Sequence, residues 1–270
     1  MSALNATRSA PAKAGGSGRV FALLLLLAAL SGCAVAPIDR EEHAEYTQRN
    51  DPAEPANRAI FEANVAVDDF ALKPAAEAYR DTVPEPIQTG LRHAASNLAD
   101  PEVALNHLLQ GHAGRAWTTL ERFVVNSTFG LAGLFDVASD WDLKHQDADF
   151  GQTFGVWGIG EGPFVELPLL GPSNTRDAVG TGLTMLLNPL TLAVGPPVAY
   201  TLAMGGTDAL DQRARAIEPL DDLRRNSIDY YAALRSAYRQ ERTYLVDSAA
   251  GKNTVSQMAY RSPASDVENQ

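Results

Sequence analysis

The spacing of apolar residues along the middle of the chain predicts a series of helices. Apolar side chains recur at helical intervals in four stretches: 57–72, 100–110, 113–126 and 228–245. The first is expected to end at Lys73-Pro74. The second is expected to begin at Asp100-Pro101-Glu102, which supplies a capping acid, a proline for the first turn and an acid after it. Segments with strand-type alternation are scarce, so the pattern predicts an all-α fold.

Two stretches depart from this pattern. Residues 150–171 are dense in glycine and contain two prolines among aromatic residues, a composition that predicts turns, close backbone approaches and loops. Residues 178–207 contain no charged side chain, but Asn188-Pro189 and Gly195-Pro196-Pro197 interrupt a single long helix. We expect two apolar half-helices around a kink, in a hairpin that either packs in the core or lies in a bilayer.

Residues 1–32 have the pattern of an export signal. They contain three basic residues, no acidic residue, and a run of eleven apolar residues from Val20 to Leu30 that is too short to span a bilayer. The segment ends at Leu30-Ser31-Gly32-Cys33, which resembles the bacterial lipobox. This motif predicts cleavage before Cys33 and covalent attachment of diacylglyceryl and N-acyl lipid to that residue. The alternative is an ordinary signal peptide with an incidental cysteine.

The residue after the cysteine bears on the destination of such a lipoprotein. An acidic residue at this position is the usual signal for retention in the inner membrane, whereas this chain has Ala34. The sequence therefore favours the outer membrane. Residues 33–50 are polar and aperiodic and are expected to form a tether, 51–246 the helical domain, and 247–270 a disordered tail.

Composition excludes several classes of function. The chain of 270 residues has a formal net charge of −11 and a pI near 4.9, which argues against nucleic-acid binding. Its single cysteine, Cys33, excludes an intrachain disulfide and a cysteine-based zinc site. Histidine spacings for a metal, nucleophile-elbow motifs and phosphate-binding loops are all absent from the sequence. The acidic pairs Asp68-Asp69 and Asp221-Asp222 diverge on a helix and are expected to be solvated, so we predict no enzyme and no metal or further cofactor.

Many short motifs, in order along about 190 residues, resemble the MlaA/VacJ family of outer-membrane lipoproteins. The resemblance starts at Asp51-Pro52 with Asn57-Arg58, and it is densest in the glycine-rich segment and ends near Tyr238-Arg239-Gln240. The motifs between these points are Val83-Pro84-Glu85-Pro86, Ser96-Asn97-Leu98, Leu108-Leu109-Gln110-Gly111, Arg122-Phe123-Val124-Val125-Asn126-Ser127-Thr128, Gly133-Leu134-Phe135-Asp136-Val137-Ala138, Asp149-Phe150-Gly151-Gln152-Thr153, Trp157-Gly158, Gly162-Pro163-Phe164, Leu167-Pro168-Leu169-Leu170-Gly171-Pro172-Ser173 and Arg176-Asp177.

The resemblance implies a mostly helical, ring-like protein embedded in the inner leaflet of the outer membrane. Its implied activity is to remove phospholipids misplaced in the outer leaflet and pass them to a periplasmic lipid-carrier protein, without catalysis. Its implied partners are trimeric porins, with an ABC transporter completing the pathway at the inner membrane. Two alternatives remain open: a porin-associated scaffold that moves no lipid, and a tethered lipid hydrolase.

Several residues are candidates for the phospholipid path. Asn57, Arg58 and Asn64 share a predicted helix with Phe61 and are placed at a polar–apolar boundary, although Ala56 and Ala63 stand where the family usually has aromatics. Arg58 and Arg176 suit phosphate, since guanidinium binds it bidentately; the alternative for each is a structural salt bridge or cap. Glu166 is expected to face a channel or water. Trp157 and Trp117 are either interfacial anchors or core residues.

Overall fold

The structure is a computed structural model that describes residues 50–187 and 198–252. The predicted signal peptide, Cys33, nearly all of the tether, the kink at 188–197 and residues 253–270 lie outside the described residues. The contacts discussed below lie within the unit that begins at Pro55.

Helices dominate the described chain, which confirms the predicted helical class. The helices are α1 (Glu54–Val67), α2 (Lys73–Thr82), α3 (Glu85–Leu109), α4 (Ala113–Thr128), α5 (Val137–Asp140), α6 (Phe150–Val156), α7 (Thr175–Leu187), α8 (Val198–Arg215), α9 (Ile217–Asn226) and α10 (Tyr230–Ala249). A π-helical segment, Asp68–Leu72, joins α1 to α2. One antiparallel hairpin, β1 (Phe164–Leu167) and β2 (Gly171–Asn174), departs from the all-α prediction.

Two helix boundaries differ from the sequence prediction, both at prolines. The chain stays helical through Pro74, because the π-helical turn places this proline in the first turn of α2, where a missing N–H is tolerated. Pro101 lies inside α3, which begins at Glu85, so Asp100 is not a helix cap. Packing of α3 against α4 and α8 overrides the local stop signal.

The C-terminal helix also runs further than expected. Asp229 caps α10 by accepting a hydrogen bond from the backbone N–H of Ala232 at 3.1 Å. The helix continues to Ala249, three residues into the segment predicted to be disordered, and it packs on α6 and β2. Among the described helices, none combines the length and hydrophobicity needed to cross a membrane.

The glycine-rich segment forms short elements joined by turns, as predicted. It holds α6, the turn at Gly158, β1 and the turn that closes the hairpin. Leu169 and Gly171 adopt positive φ angles of 64° and 79° in that turn. The hairpin register pairs Phe164 with Asn174 and Leu167 with Gly171.

Glycine also sets the distance between α6 and α7. A Cβ atom added at Gly180 of α7 would lie 2.6 Å from the backbone nitrogen of Gly151 of α6, so the two backbones meet without an intervening side chain. On the same helix, a Cβ added at Gly182 meets nothing within 4 Å. Replacing Gly182 therefore changes only the helix propensity of α7, whereas replacing Gly180 also changes its packing against α6.

We expect Gly180→Ala to destabilise the protein by about 1–3 kcal/mol, because the new methyl group forces α6 and α7 apart. Gly182→Ala is the matched control and should be neutral or stabilising by up to about 1 kcal/mol, since alanine favours a helix over glycine. Thermal unfolding of both variants in the same detergent checks this. Equal melting temperatures for the two variants would contradict the close approach.

Candidate functional site

Helix α1 is held on the β-hairpin by two asparagine side chains. The Asn57 side-chain amide donates to the carbonyl of Phe164 at 3.2 Å and accepts from the backbone N–H of Glu166 at 3.0 Å. Both bonds are buried and complete the outer edge of β1, as a neighbouring strand would. One side chain therefore fixes the position of the helix along the strand.

Asn64 repeats this arrangement two helical turns further on. It donates to the carbonyl of Leu167 at 2.9 Å and accepts from the backbone N–H of Leu169 at 2.8 Å. It also donates to the carboxylate of Glu166 at 3.0 Å. Since residues 57 and 64 lie on one face of α1, helix and hairpin are joined in one register.

An aromatic cluster fills the space between the two asparagines. Phe61, on the same face of α1, contacts Tyr231 edge-on with ring centroids 5.3 Å apart, and Phe164 lies 6.0 Å from the same tyrosine. The Arg58 guanidinium lies over the Tyr231 ring at 4.4 Å and forms a bidentate pair with Asp229 at 2.5 and 3.2 Å. The hydrogen bond from Arg58 lowers the pKa of Asp229.

A second cluster of buried charges lies where β2, α6, α7 and α10 meet. Asp177 accepts hydrogen bonds from Asn174 at 2.7 Å, Tyr238 at 2.7 Å and Arg242 at 2.8 Å. Arg242 also forms a bidentate pair with Asp149, at 2.7 and 3.0 Å, and Asp149 caps α6. We call these residues, with Arg176, the Asp177 network.

Ionisation of the network follows from its hydrogen bonds. Burial alone raises the pKa of Asp177, but the hydrogen bonds and charges of Arg176 and Arg242 outweigh it and lower that pKa. Burial and the nearby Asp177 together raise the pKa of Tyr238. The carboxylate is therefore charged and the phenol neutral at physiological pH.

Helices α3 and α4 have an inverted distribution of polar and apolar side chains. The faces they bury are largely polar: Asn97, Asp100, Asn106, His107, Thr119, Arg122 and Asn126. Two of the contacts that satisfy this interior are Asn97 to Ser127, at 2.9 Å, and Asn106 with Thr153 of α6, at 2.8 Å. In an ordinary soluble domain the buried stripe is apolar.

The outer faces of the same helices are apolar. Their exposed side chains include Leu105, Leu108, Trp117, Leu120 and Val124, and the loop after α4 adds Phe129, Leu131, Leu134 and Phe135. Helix α7 continues this surface with Val179, Met185, Leu186 and Leu187. An exposed apolar surface of this kind is typical of a contact with lipid or protein. We call it the apolar outer surface.

The loop after α4 is held in place by the polar interior. Arg122 pairs with both carboxylate oxygens of Asp136, at 2.9 and 3.0 Å, and also donates to the carbonyl of Leu143. Asn126 donates to Asp136 at 3.0 Å and accepts from the backbone N–H of Ala138 at 2.9 Å. Burial raises the pKa of Asp136, but hydrogen bonds from Ser139, Asn126 and Arg122 outweigh it and lower this pKa to about 2.

Asp100 is the least satisfied carboxyl group of this interior. It is 1% exposed, and its Oδ1 receives no hydrogen bond from the described residues. Burial raises its pKa to about 6, although the charges of His145 and Arg122 oppose the shift. In residues 50–187 and 198–252, no three His, Cys, Asp or Glu side chains are grouped as ligands for a metal ion.

Comparison with protein families identifies the chain. The family model described as MlaA lipoprotein matches residues 49–245. The chain belongs to the MlaA lipoprotein family. The match begins just before α1 and ends near the end of α10, so all of the elements described above belong to the family domain.

Individual relatives in this family cover most of the chain. The intermembrane phospholipid transport system lipoprotein MlaA of Escherichia coli strain K12 is 34% identical over 238 residues, which is 85% of this chain and 89% of that protein. The Haemophilus influenzae protein of the same name is 32% identical over 232 residues, 84% of this chain and 90% of that one.

A solved structure in this family is also similar. It comes from work on the structural basis for maintenance of bacterial outer membrane lipid asymmetry, and it superposes with a TM-score of 0.62 at 32% identity. The match covers 73% of this chain and 98% of that one. The described fold is therefore that of the MlaA family.

The structure brings some of the predicted site residues together and separates others. Asn57, Phe61, Asn64 and Glu166 meet at the α1–hairpin junction. Glu166 is 4% exposed, so the expectation that its carboxylate faces water is wrong. The carboxylate is buried and accepts a hydrogen bond from Asn64. A position facing a channel stays a prediction.

Arg58 and Arg176 both lie in ion pairs, as their structural alternative predicts. Arg176 is buried in the Asp177 network and donates to Asp177 at 2.9 Å. A role for either arginine in phosphate binding stays a prediction. Trp117 and Trp157 are more than half exposed, so neither is a core residue; the Trp157 indole donates to the carbonyl of Leu109 at 2.9 Å.

Sequence reasoning assigned no role to Asp149, Tyr238 or Arg242. Tyr238 and Arg242 lie four residues apart on one face of α10, and Asp149 has the position of a helix cap, both of which are visible in the sequence. Their connection is not visible, because Arg242 and Asp149 are 93 residues apart. The acidic pairs are not dyads: Asp68 and Asp69 bind Arg213 and Arg224 on other helices.

We expect Asn57→Ala to destabilise the protein by about 1–3 kcal/mol, because it leaves a buried carbonyl and a buried N–H of β1 without partners. Asn64→Ala should cost less, since its partners are only partly buried. Urea unfolding in detergent measures both. Glu62→Ala, on the exposed side of α1, is the control and should change stability by no more than about 0.5 kcal/mol. If Asn57→Ala lost no more stability than Glu62→Ala, the two hydrogen bonds between Asn57 and β1 could not be what holds the helix on the hairpin.

Asp100 should make the protein less stable as the pH rises from about 4 to about 6. Its raised pKa means that the folded state binds the proton more tightly than the unfolded state, and this advantage is lost above pH 6. Asp100→Asn should therefore equal the wild type near pH 4 and be more stable at pH 7.5 by up to about 3 kcal/mol.

Melting temperature between pH 4 and pH 8 provides the measurement. Asp140→Asn, on the exposed turn of α5, is the control and should follow the wild-type pH profile. A pH profile of Asp100→Asn parallel to that of the wild type would show that Asp100 is not the group responsible.

Proposed function

We propose that this protein is an outer-membrane lipoprotein that removes mislocalised phospholipids from the outer leaflet and passes them to a periplasmic carrier. Family membership supports the class of activity, since the relatives from E. coli and H. influenzae are named as intermembrane phospholipid transport lipoproteins. The related solved structure concerns outer-membrane lipid asymmetry. In this proposal the chain binds and moves lipid and performs no catalysis.

The inverted α3–α4 pair is the observation that carries the proposal. A phospholipid has apolar tails and a polar headgroup, and these helices place apolar side chains outside and polar side chains inside. The outer faces suit acyl chains, where apolar side chains lose nothing, and Asn97, Asn106 and Arg122 donate or accept hydrogen bonds within the protein. The buried polar side chains of α3 and α4 offer the hydrogen-bonding groups that a headgroup requires.

The same surface supports membrane embedding, for which no spanning helix is needed. The exposed apolar side chains of α3, α4 and α7 form one face of helices that bury their polar residues. The exposed apolar side chains of α7, which ends at Leu187, support a bilayer placement over burial in the core for that part of the uncharged segment. A protein of this type lies in one leaflet, with acyl chains on Cys33 as its anchor.

The proposal includes the partners that the family resemblance implies. A trimeric porin would hold the protein in the outer membrane, in a ring-like form that gives lipid a path from the opposite leaflet. A periplasmic lipid carrier would receive the lipid, and an ABC transporter at the inner membrane would complete the retrograde pathway. The aromatic side chains Trp117 and Trp157, both exposed, are suited to the headgroup region.

Deletion of the gene tests the activity. Phospholipid exposed in the outer leaflet should rise in the deletion strain, return to normal with the wild-type gene, and stay raised with Cys33→Ala, which cannot be lipidated. Labelling of intact cells with a membrane-impermeant amine reagent measures exposed phosphatidylethanolamine. An unchanged outer leaflet in the deletion strain would leave the porin-associated scaffold as the function.

A charge placed on the apolar outer surface tests the embedding. Val124→Arg on α4 should weaken membrane association, because an arginine in hydrocarbon costs about 2–3 kcal/mol or more. Ala75→Arg, which adds the same charge to an exposed position of α2, is the matched control and should bind as the wild type does. Flotation with phospholipid vesicles, measured with Cys33→Ala protein so that no anchor contributes, compares the two.

A further inference from the structure

Residues 141–149 connect α5 to α6 as a turn followed by a segment that is neither helix nor strand, and we call them the α5–α6 loop. Charged side chains fix both of its ends. Arg122 of α4 donates to the carbonyl of Leu143, and Asp149, which caps α6, forms a bidentate pair with Arg242 of α10. The middle of the loop lies between these anchors without the hydrogen bonds of regular secondary structure.

The middle of the α5–α6 loop lies on the polar face of α3. Asp100 and His107, seven residues apart on that face, are each only 1% exposed. The ion pair between His145 and Asp147, at 2.8 Å, is near enough to act on the charge of Asp100. The backbone of Gln146 faces the imidazole of His107. The loop therefore covers two titratable side chains of the polar interior.

Asp100 weakens this contact when it is ionised. Its Oδ1 has no hydrogen-bond partner among the described residues. The charges of His145 and Arg122 attract it, but Asp136 and Asp147 repel it, and Arg122 is already paired with Asp136. A buried carboxylate oxygen without a hydrogen bond is costly, and contact with water removes that cost. Ionisation of Asp100 therefore favours a state in which the loop admits water.

We propose that the α5–α6 loop is a proton-controlled cover of the polar face of α3, closed while Asp100 holds a proton and open when Asp100 is ionised. The closed loop excludes water from a neutral carboxyl group, which costs far less than burying a charged one. The open loop lets water solvate the carboxylate and uncovers the polar face around it. In the proposed function, on which this role rests, the uncovered face receives the lipid headgroup, so the cover regulates the entry of lipid.

Two groups favour opening as the pH rises. Burial raises the pKa of Asp100 to about 6, whereas water in the open loop returns that pKa to its ordinary value, so opening becomes easier from about pH 4 to about pH 6. The hydrogen bond to Asp147 raises the pKa of His145, and loss of the His145 proton removes the ion pair within the loop. Asp136 and Asp147 have lowered pKa values and stay ionised in this range, so neither opposes the trend.

His107 acts in the opposite sense. Burial lowers its pKa, and the charges of Arg115 and His112 add to this effect, so the closed loop favours the neutral imidazole and acid favours opening. The loop backbone and the charge of Asp147 counteract this burial. At Asp100 Oδ1 no hydrogen bond from the described residues offsets the loss of water. Asp100 therefore sets the direction of the response.

Thiol labelling measures the opening. Ala148 is a buried residue of the loop, Ala76 is a buried residue of α2 and Ala75 is an exposed one, so each can be replaced by cysteine in full-length Cys33→Ala protein. The maleimide labelling rate of Ala148→Cys, divided by that of Ala75→Cys at the same pH, should rise about tenfold from pH 5 to pH 7.5 because of Asp100. The same ratio for Ala76→Cys should not rise. A constant ratio for Ala148→Cys, or an equal rise for Ala76→Cys, would overturn the cover.

Substitution of the titrating groups identifies the one responsible. With Asp100→Asn the labelling ratio at pH 7.5 should stay at its value in acid, and His107→Gln should enlarge the rise because it removes the opposing group. Asp142→Asn, at an exposed position of the loop, is the matched control and should respond as the wild type does. Hydrogen exchange of residues 141–149 in nanodiscs, corrected for the pH dependence of exchange itself, makes the same comparison without added cysteines. A rise in Asp100→Asn equal to that of Asp142→Asn would refute the assignment to Asp100.

Lipid clearance in cells distinguishes this inference from the proposed function. In a deletion strain grown at pH 7.5, the wild-type gene and Asp142→Asn should restore clearance of outer-leaflet phospholipid, whereas Asp100→Asn should restore it incompletely because its cover stays closed. Full clearance by Asp100→Asn would contradict the role of the cover in lipid entry and leave the proposed function intact. A wild type that clears no lipid while its loop still opens with rising pH would overturn the proposed function and leave the cover in place.

Discussion

The fold depends on the pairing of buried charge around Asp177. This carboxylate is nearly inaccessible to solvent, and it is stabilised by hydrogen bonds from a strand, from its own helix and from α10. Through Arg242 the same network reaches Asp149, the cap of α6. Loss of Asp177 leaves the Arg176 guanidinium without the carboxylate that it binds, and removing one partner of a buried ion pair is among the most costly changes to a folded protein. The network also lies against Gly151 of α6, where an added Cβ atom would collide with Asp177 and Arg242.

The second constraint is the inverted polarity of α3 and α4. A helix pair with polar residues inside and leucine, tryptophan and valine outside gains little from the hydrophobic effect in water. Its stability comes instead from hydrogen bonds such as those of Asn97, Asn106 and Arg122. The same inversion fits an environment of acyl chains, which is why one structural feature bears on both the folding and the proposed transport of lipid.

The exposed ion pairs and most of the exposed apolar side chains of the domain lie on different helices. Ion pairs join α2 to α9 and α8 to the π-helical segment, whereas α3, α4 and α7 present apolar side chains. The hairpin is held between α1 and α10 by the two asparagines and by the Phe61–Tyr231–Phe164 cluster. The apolar outer surface, the ion-paired helices and the glycine-rich segment therefore belong to one connected scaffold.

Local patterns determined which parts of this chain are helical. Helical spacing placed α1, α4 and α10, and glycine placed the turns of 150–171, because backbone propensity and the positions of turn residues act over a few residues. The family resemblance supplied the class of function. The shared helix with Phe61 marked Asn57 and Asn64 as candidates, but nothing local indicates that these asparagines bind the backbone of β1 more than 100 residues away.

Tertiary structure decided the rest, since the deciding contacts join residues far apart in the chain. Pro101 reads locally as a helix start, yet packing on α4 and α8 carries α3 through it. Arg58 and Arg176 have the chemistry of phosphate ligands, but carboxylates bind both: Asp229, 171 residues away, binds Arg58, and the adjacent Asp177 binds Arg176. An apolar stripe can face outward only where the polar side chains of the opposite face find hydrogen-bond partners inside the protein. For α3 and α4 that was settled by a contact between the two helices, Asn97 with Ser127, and by Asp136 and Thr153 elsewhere in the fold.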